Sequence, residues 1–397
     1  MHATEHFDVV IVGGGPAGAT AATDLARGGH SVLLLERAFR IKPCGGAIPP
    51  RLIEDFDIPQ HLLVARISAA RMVSPANERV DMPVGDTYVG MVDRDVFDPW
   101  LRKRAAEAGA TVRTATFKDL EYRDDGTVCV TYLDKDTVGE RRQVVARAVI
   151  GADGARSRVA ARCVPGGEKV RTVFAYHEIV ESPAANDGAD FDPQRCDVWY
   201  QGRLSPDFYA WVFPHGDKTS IGVGSEQKGF SAPDSVAKLR ADVGLAEART
   251  VRREGAPIPL KPLKRWDDGR NVLLAGDAAG VVAPASGEGI YYAMVGGRLA
   301  GEAVAQFLAT GDARVLRRAR KRFMREHGRV FFILGMMQRF WYTTDKRREK
   351  FVKICKDPDV QYLTWQAYTQ KKLQRARPVA HVRIFFKDVA HLLGFAR

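Results

Sequence analysis

The constraint that most narrows what this chain can fold into lies in its first 36 residues. An apolar run at 7–12 enters Gly13-Gly14-Gly15-Pro16-Ala17-Gly18, helical spacing follows at 16–26, and a second apolar run at 32–35 closes on Glu36. Short, continuous apolar runs suit strands buried on both faces of a parallel sheet, so the segment predicts a βαβ unit of about 30 residues. Its glycines have separate tasks. Gly13 permits the tight turn, Gly15 lets the backbone approach a pyrophosphate, and Gly18 lets helix and strand pack closely. The anion then sits at the positive end of the helix, against Pro16 and Ala17. Glu36 lies 18 residues past Gly18, where a carboxylate accepts from ribose hydroxyls and disfavours a 2′-phosphate. FAD or NAD, and not NADP, is expected there.

Two later segments repeat the pattern of an acid after a buried strand. One is Val149-Ile150-Gly151-Ala152-Asp153-Gly154, and the other is Leu273-Leu274-Ala275-Gly276-Asp277-Ala278-Ala279-Gly280, followed by Gly287-Glu288-Gly289-Ile290. Framed by small residues, Asp153 and Asp277 can reach a sugar or ribitol hydroxyl. Each alone also reads as a strand-to-turn Asx motif.

The length of 397 residues predicts two or three domains, and 45% apolar with 27% charged residues is an ordinary globular balance. No apolar run reaches the roughly 20 residues needed to span a bilayer. Five scattered cysteines without a C-x-x-C pair argue against structural zinc or an Fe–S cluster, and no metal is expected. They suit a reducing compartment, and the N-terminus lacks a secretory signature, so a cytoplasmic location is expected. The net charge of +12 is uneven: residues 312–397 hold 22 Lys/Arg against 7 Asp/Glu, leaving the rest at −3. No nucleic-acid-binding signature accompanies this basic region, so nucleic acid is not an expected partner.

Together the three nucleotide signals resemble the FAD-binding framework of the flavin hydroxylase-type oxidoreductases. That resemblance implies FAD as cofactor. It places Asp277 toward the ribitol or pyrophosphate, Gly287, Gly289 and Ile290 at the isoalloxazine, and Asp153 near both flavin and nicotinamide nucleotide. It adds Arg37 after Glu36, and Arg94 in Asp93-Arg94-Asp95-Val96-Phe97-Asp98, as cofactor contacts.

Two further segments narrow the family. Lys42-Pro43-Cys44-Gly45-Gly46-Ala47 is similar to the P-C-G-G signature of geranylgeranyl reductases, and Tyr209-x-Trp211-x-Phe213-Pro214, then seven residues to Gly222-x-Gly224, matches their aromatic motif. Tyr209, Trp211 and Phe213 alternate along a strand and so share a face, an aromatic wall suited to an isoprenoid chain or to an ordinary sheet core. Segments 71–75, 351–355 and 359–368 resemble the chlorophyll and bacteriochlorophyll branch. The resemblance implies hydrogenation of three C=C bonds of a geranylgeranyl chain to phytyl, on the esterified pigment or on geranylgeranyl diphosphate. NADPH is the implied reductant, with reduced ferredoxin as a rival, and Gly45, Gly46 and Ala47 become cofactor contacts. Cys44 is the candidate catalytic thiol, and a small buried residue in a turn is its other reading. His177, His215, Tyr209 and Glu288 stay open as proton donors. A geranylgeranyl reductase acting on another prenyl lipid and a flavin monooxygenase are the competing readings.

The fold class expected is α/β (α+β overall): a Rossmann-like FAD-binding domain of the flavin hydroxylase type, a mixed-sheet substrate domain and a helical basic C-terminal region. The FAD-binding domain is expected at 1–72, 86–160 and 261–311, the substrate domain at 73–85 and 161–260, and the helical region at 312–397. Apolar stretches at 330–342 and 381–395 suit interfacial contact with an anionic membrane, or packing on the body. A peripheral photosynthetic membrane and chlorophyll-synthesis enzymes are the partners so implied.

Overall fold

The computed structural model describes residues 4–37, 41–135, 137, 139–183 and 190–371. They form two compact units, each assembled from three stretches of chain.

The first unit comprises 4–42, Arg94–Val173 and Pro257–Gly335. Its core is a parallel sheet in the order Thr111–Tyr122, Val32–Glu36, Glu5–Val12, Arg141–Gly151, Val272–Leu274. The expected first strand is sealed on both faces, and Val9, Val10 and Ile11 have no exposed surface. Strand Thr111–Tyr122 serves two neighbours in turn. Beyond Thr114 it leaves the parallel sheet and pairs antiparallel with Val128–Asp134, which also pairs antiparallel with Arg141–Gly151. Helix Pro16–Arg27 opens with Pro at its first turn, where a missing N–H costs nothing. It packs against helix Ile290–Thr310 through small residues: a Cβ on Gly297 would stand 2.2 Å from the Ala17 carbonyl oxygen. The two backbones meet where larger side chains would hold them apart.

The second unit comprises Pro43–Asp93, Phe174–Ala256 and 336–371. A seven-stranded sheet runs Thr250–Pro259, Thr172–Glu181, Lys218–Ser225, Ala210–His215, Arg195–Trp199, Ala69–Val73, Arg79–Pro83. One face carries Val180, Ala210, Val212, Ile221 and Val223, which bury against Val236 and Leu239 of helix Ala232–Asp242. On that face Arg240 donates to Glu178 at 2.6 Å. The opposite face carries Trp211, Phe213, His177 and Ser220, as strand alternation requires. A small sheet of Ala47–Ile48, Val89–Met91 and Ala65–Ile67 completes the unit.

These divisions differ from those expected at 72/73 and 311/312. Residues 43–72 and 86–93 join the second unit because Ala69–Val73 pairs with Arg195–Trp199, and Ile67, Val89 and Met91 pack in one cluster with Cys196. The residues from 312 to 335 join the first because Phe323 and Phe331 pack on Tyr292. Pairings between distant segments drew these lines, and motif positions could not reveal them.

Candidate functional site

The nucleotide fingerprint belongs to the first unit, and its geometry separates the roles of the glycines. Gly13 has φ +103, and a Cβ there would meet the Ala152 carbonyl oxygen at 2.4 Å. A Cβ on Gly18 would stand 1.8 Å from the Gly13 oxygen. Both positions are closed by the protein's own backbone. Gly15 is the opposite case: its backbone is extended, and a Cβ would meet nothing within 4 Å. Gly15 is also the N-cap of helix Pro16–Arg27, which has no side-chain cap and no acid in its first turn. Uncapped N–H groups beside open space make an anion cradle.

Glu36 ends the second strand as expected, and its carboxylate accepts the Gly14 amide at 2.6 Å. Arg102 supports the same loop, donating to the Gly14 oxygen at 3.3 Å. Arg37, next along, is exposed. A second helix start lies in this unit: Gly289 is the uncapped N-cap of Ile290–Thr310, again without an acid in the first turn. A Cβ on Gly289 would come 3.9 Å from Asp277 Oδ1. Gly287 precedes it with φ +66, and Ile290 is buried. The Asp277 carboxylate is held by Lys42 at 2.5 Å. An adenine dinucleotide with a flavin fits these residues: two helix starts without a side-chain cap for phosphate and ring carbonyl oxygen, and acids at the strand ends for hydroxyls.

Two more of the expected residues are held by hydrogen bonds within the protein. Asp153 accepts from Ser157 Oγ at 2.5 Å and from the Arg158 amide at 2.7 Å, the Asx-type use that was its other reading. Burial pushes its pKa up, against the pull of those hydrogen bonds. Arg94 is buried in a bidentate pair with Asp98, both bonds 2.7 Å.

The second unit holds the two remaining motifs, and it joins them. Tyr209, Trp211 and Phe213 form one row, with ring centroids 6.0 and 6.1 Å apart. Tyr200, Tyr342 and Phe351 extend it, Tyr200 lying 6.1 Å from Tyr209 and 5.0 Å from Phe351. The Cys44 loop seats on this strand. A Cβ on Gly45 would touch the Phe213 ring at 3.0 Å, and one on Gly46 would strike His215 Cε1 at 2.5 Å. Two successive glycines are needed because two alternate side chains of the aromatic strand lie directly beneath. Gly46 also has φ +70, and its amide approaches Cys44 Sγ at 3.4 Å. Ala47 follows in the short strand. Burial, with Cys44 among the nearby groups, holds the Tyr209 hydroxyl far above its ordinary pKa, so it remains protonated at any working pH.

Behind Trp211 runs a polar chain crossing four adjacent strands. The indole N–H donates to Ser220 Oγ at 3.1 Å. Ser220 lies 2.8 Å from His177 Nδ1, and His177 Nε2 lies 3.1 Å from Glu254 Oε2. Indole can only donate, so all four groups are satisfied by Ser220 donating to a neutral His177, which donates to Glu254. Gly222, between Trp211 and His177 in register, gives the ring its room: a Cβ there would lie 2.2 Å from Trp211 Cζ2. Both nitrogens of His177 are thereby occupied. Ser220→Ala should destabilise the chain by about 1–3 kcal/mol, because the indole N–H is left buried without its acceptor. Chemical denaturation of the two proteins measures this directly.

Arg102, Lys42, Ser220 and Glu254 carried no signal in the sequence. Lys42 meets Asp277 across 235 positions, and nothing local announces such a pair.

The chain is similar to known proteins over most of its length. The FAD binding domain family matches residues 6–325. A geranylgeranyl diphosphate reductase of Rhodobacter capsulatus is 55% identical over 98% of this chain and 98% of its own. The chloroplastic enzyme of that name from Oryza sativa is 36% identical over 97% of this chain and 86% of its own. Among solved structures, a geranylgeranyl bacteriochlorophyll reductase-like protein of Thermoplasma acidophilum superposes with a TM-score of 0.81 at 22% identity, covering 94% of this chain and 98% of that one. At that identity the likeness speaks for the fold. Identity running almost end to end, through both the FAD framework and the aromatic unit, settles the assignment: the chain belongs to the geranylgeranyl diphosphate reductase family of FAD-binding oxidoreductases.

Proposed function

We propose that this protein saturates three C=C bonds of a geranylgeranyl chain to give phytyl, on geranylgeranylated (bacterio)chlorophyll or on geranylgeranyl diphosphate. The observation that carries the reading is the seating of the Cys44 loop on the aromatic strand, by which both reductase motifs become one surface. Bound FAD supplies, once reduced, the hydride that an isolated alkene requires. An alkene has no carbonyl to polarise, so the protein's contribution is a dry surface and a fixed orientation. Tyr209, Trp211 and Phe213 supply that surface. The Cys44 thiol, at its rim, is the candidate for holding or moving the proton that completes the second carbon.

NADPH is the proposed reductant, and the basic charge of the chain also suits an acidic ferredoxin. Supplying NADPH or reduced ferredoxin to the FAD-loaded protein, with each prenyl substrate in turn, decides donor and substrate together. Stepwise gain of hydrogen with NADPH supports the reading, and turnover confined to ferredoxin replaces the donor.

Among the described residues no helix is long and apolar enough to cross a membrane. Peripheral association with the photosynthetic membrane is supported by helix Arg317–Trp341, where Arg325, Arg329, Phe332, Met336 and Arg339 are all exposed. Their spacing of four and three places them on one stripe, cationic with an apolar centre, as an anionic lipid surface requires. The 381–395 stretch lies outside the described residues. Arg325→Glu with Arg329→Glu should weaken binding to phosphatidylglycerol vesicles by at least about 30-fold, at ~1 kcal/mol per cation lost. Sedimentation with vesicles measures it, and binding indifferent to both charge and salt would remove the proposal.

A further inference from the structure

The second unit holds two buried histidines on one face of its sheet, and their partners demand different protonation states. His177 lies between a hydroxyl and a carboxylate, and is satisfied when neutral. His215 is 5% exposed and lies between two groups that can only accept. Its Nδ1 is 2.8 Å from Asp93 Oδ1, and its Nε2 is 3.1 Å from the Gly45 carbonyl oxygen. Neutral imidazole carries one N–H, so both bonds exist together only in the imidazolium.

The surroundings keep Asp93 an ionised acceptor. Burial works against the Asp93 charge, yet the hydrogen bond from His215 and the cations around it hold its pKa below the ordinary value. Lys218 stands 4.0 Å from Asp93, with Asp217 3.9 Å from Lys218, and Arg252 acts on Asp93 from farther away. The loop on the other side has no slack: Gly46 has φ +70, and its Cβ position lies 2.5 Å from both His215 Cε1 and the Val92 oxygen. The Val92 amide in turn donates to the Gly46 oxygen at 2.9 Å.

We propose that His215, as an imidazolium clamped between Asp93 and the Gly45 carbonyl, is a positioning residue that sets the Cys44 loop for prenyl reduction. The activity consequence rests on the reductase reading above; the clamp itself does not. Loss of the His215 proton leaves an acceptor facing an acceptor at one end, so the loop is released as pH rises. Misplacement of a reacting group by about 1 Å costs roughly 100-fold in rate, and the alkaline fall in kcat should lie between about 10- and 100-fold.

Asp93→Asn separates this clamp from general structural damage. The side-chain amide that this substitution introduces can donate to Nδ1 of a neutral imidazole while Nε2–H still serves Gly45, so both bonds survive without the charge. The kcat profile of the FAD-loaded full chain should lose its alkaline limb in Asp93→Asn. An identical limb in both proteins would overturn the positioning role. Side-chain 15N spectra of the wild-type protein, with the His215 signal assigned by its loss in His215→Gln, should show both ring nitrogens protonated at pH 7. A neutral His215 there would overturn the clamp whatever the activity shows. Should no prenyl substrate turn over, the reductase reading fails separately, and amide exchange of residues 44–47 decides the clamp. Protection lost with rising pH in the wild type but kept in Asp93→Asn supports it, and protection equal in both overturns it.

Discussion

Gly15→Val should cost the apoprotein no more than about 1 kcal/mol, the difference between Gly and Val at a helix N-cap, and remove most of its affinity for FAD. The extended backbone at Gly15 accepts any residue, and the space beside it holds no protein atom within 4 Å of a Cβ. The side chain therefore meets no protein atom, and it clashes only when a pyrophosphate has to approach. Two charge-assisted hydrogen bonds lost at ~1.5–3 kcal/mol each correspond to a fall of about 100-fold or more. Gly18→Ala is the contrasting variant. Its Cβ would lie 1.8 Å from the Gly13 oxygen, so fold stability should drop with FAD affinity. Thermal melts of apoprotein and flavin-fluorescence titrations, run on both variants, measure the two quantities separately. Equal losses of stability would mean that Gly15 is a packing residue and the cradle is misassigned.

Gly222→Val should abolish prenyl turnover while FAD is still bound. The new side chain would occupy the space of Trp211 Cζ2, 2.2 Å away, and press on His177 Cβ at 2.7 Å. The indole must leave, which breaks its bond to Ser220 and interrupts the aromatic row between Tyr209 and Phe213. Overpacking and the unpaired polar groups together cost ~3 kcal/mol, well within what a protein of this size tolerates at low temperature. On the proposed reading the aromatic row is what positions the alkene, so turnover should fall about 100-fold. If the aromatic row is only sheet core, turnover per bound flavin stays at the wild-type value.

What the chain disclosed in advance follows from the range of the interactions concerned. The Gly13–Gly18 turn was legible because three backbone requirements lie within six residues. Glu36 was placed correctly at its strand end, while its bond to the Gly14 amide depends on a loop 22 positions away. The shared face of Tyr209, Trp211 and Phe213 follows from strand alternation alone. That Gly45 and Gly46 rest on Phe213 and His215 does not, since it joins segments about 170 residues apart. Asp153 shows the limit from the other side. The pattern admitted a sugar-binding acid or an Asx turn, and the side chain is engaged by Ser157 and Arg158. The domain lines moved for the same reason: Ala69–Val73 pairs with the distant strand Arg195–Trp199 and carries its neighbours into the second unit.

The most direct test is the mass of the prenyl product from a single anaerobic turnover. The FAD-loaded protein is reduced chemically, so that no physiological donor is needed, and mixed with geranylgeranyl diphosphate or geranylgeranylated bacteriochlorophyll. The account predicts that flavin absorbance returns as the chain gains two hydrogens, with repeated reduction carrying it to six. A reduced flavin that leaves both substrates unchanged without air, and adds an oxygen atom once air is admitted, would contradict it.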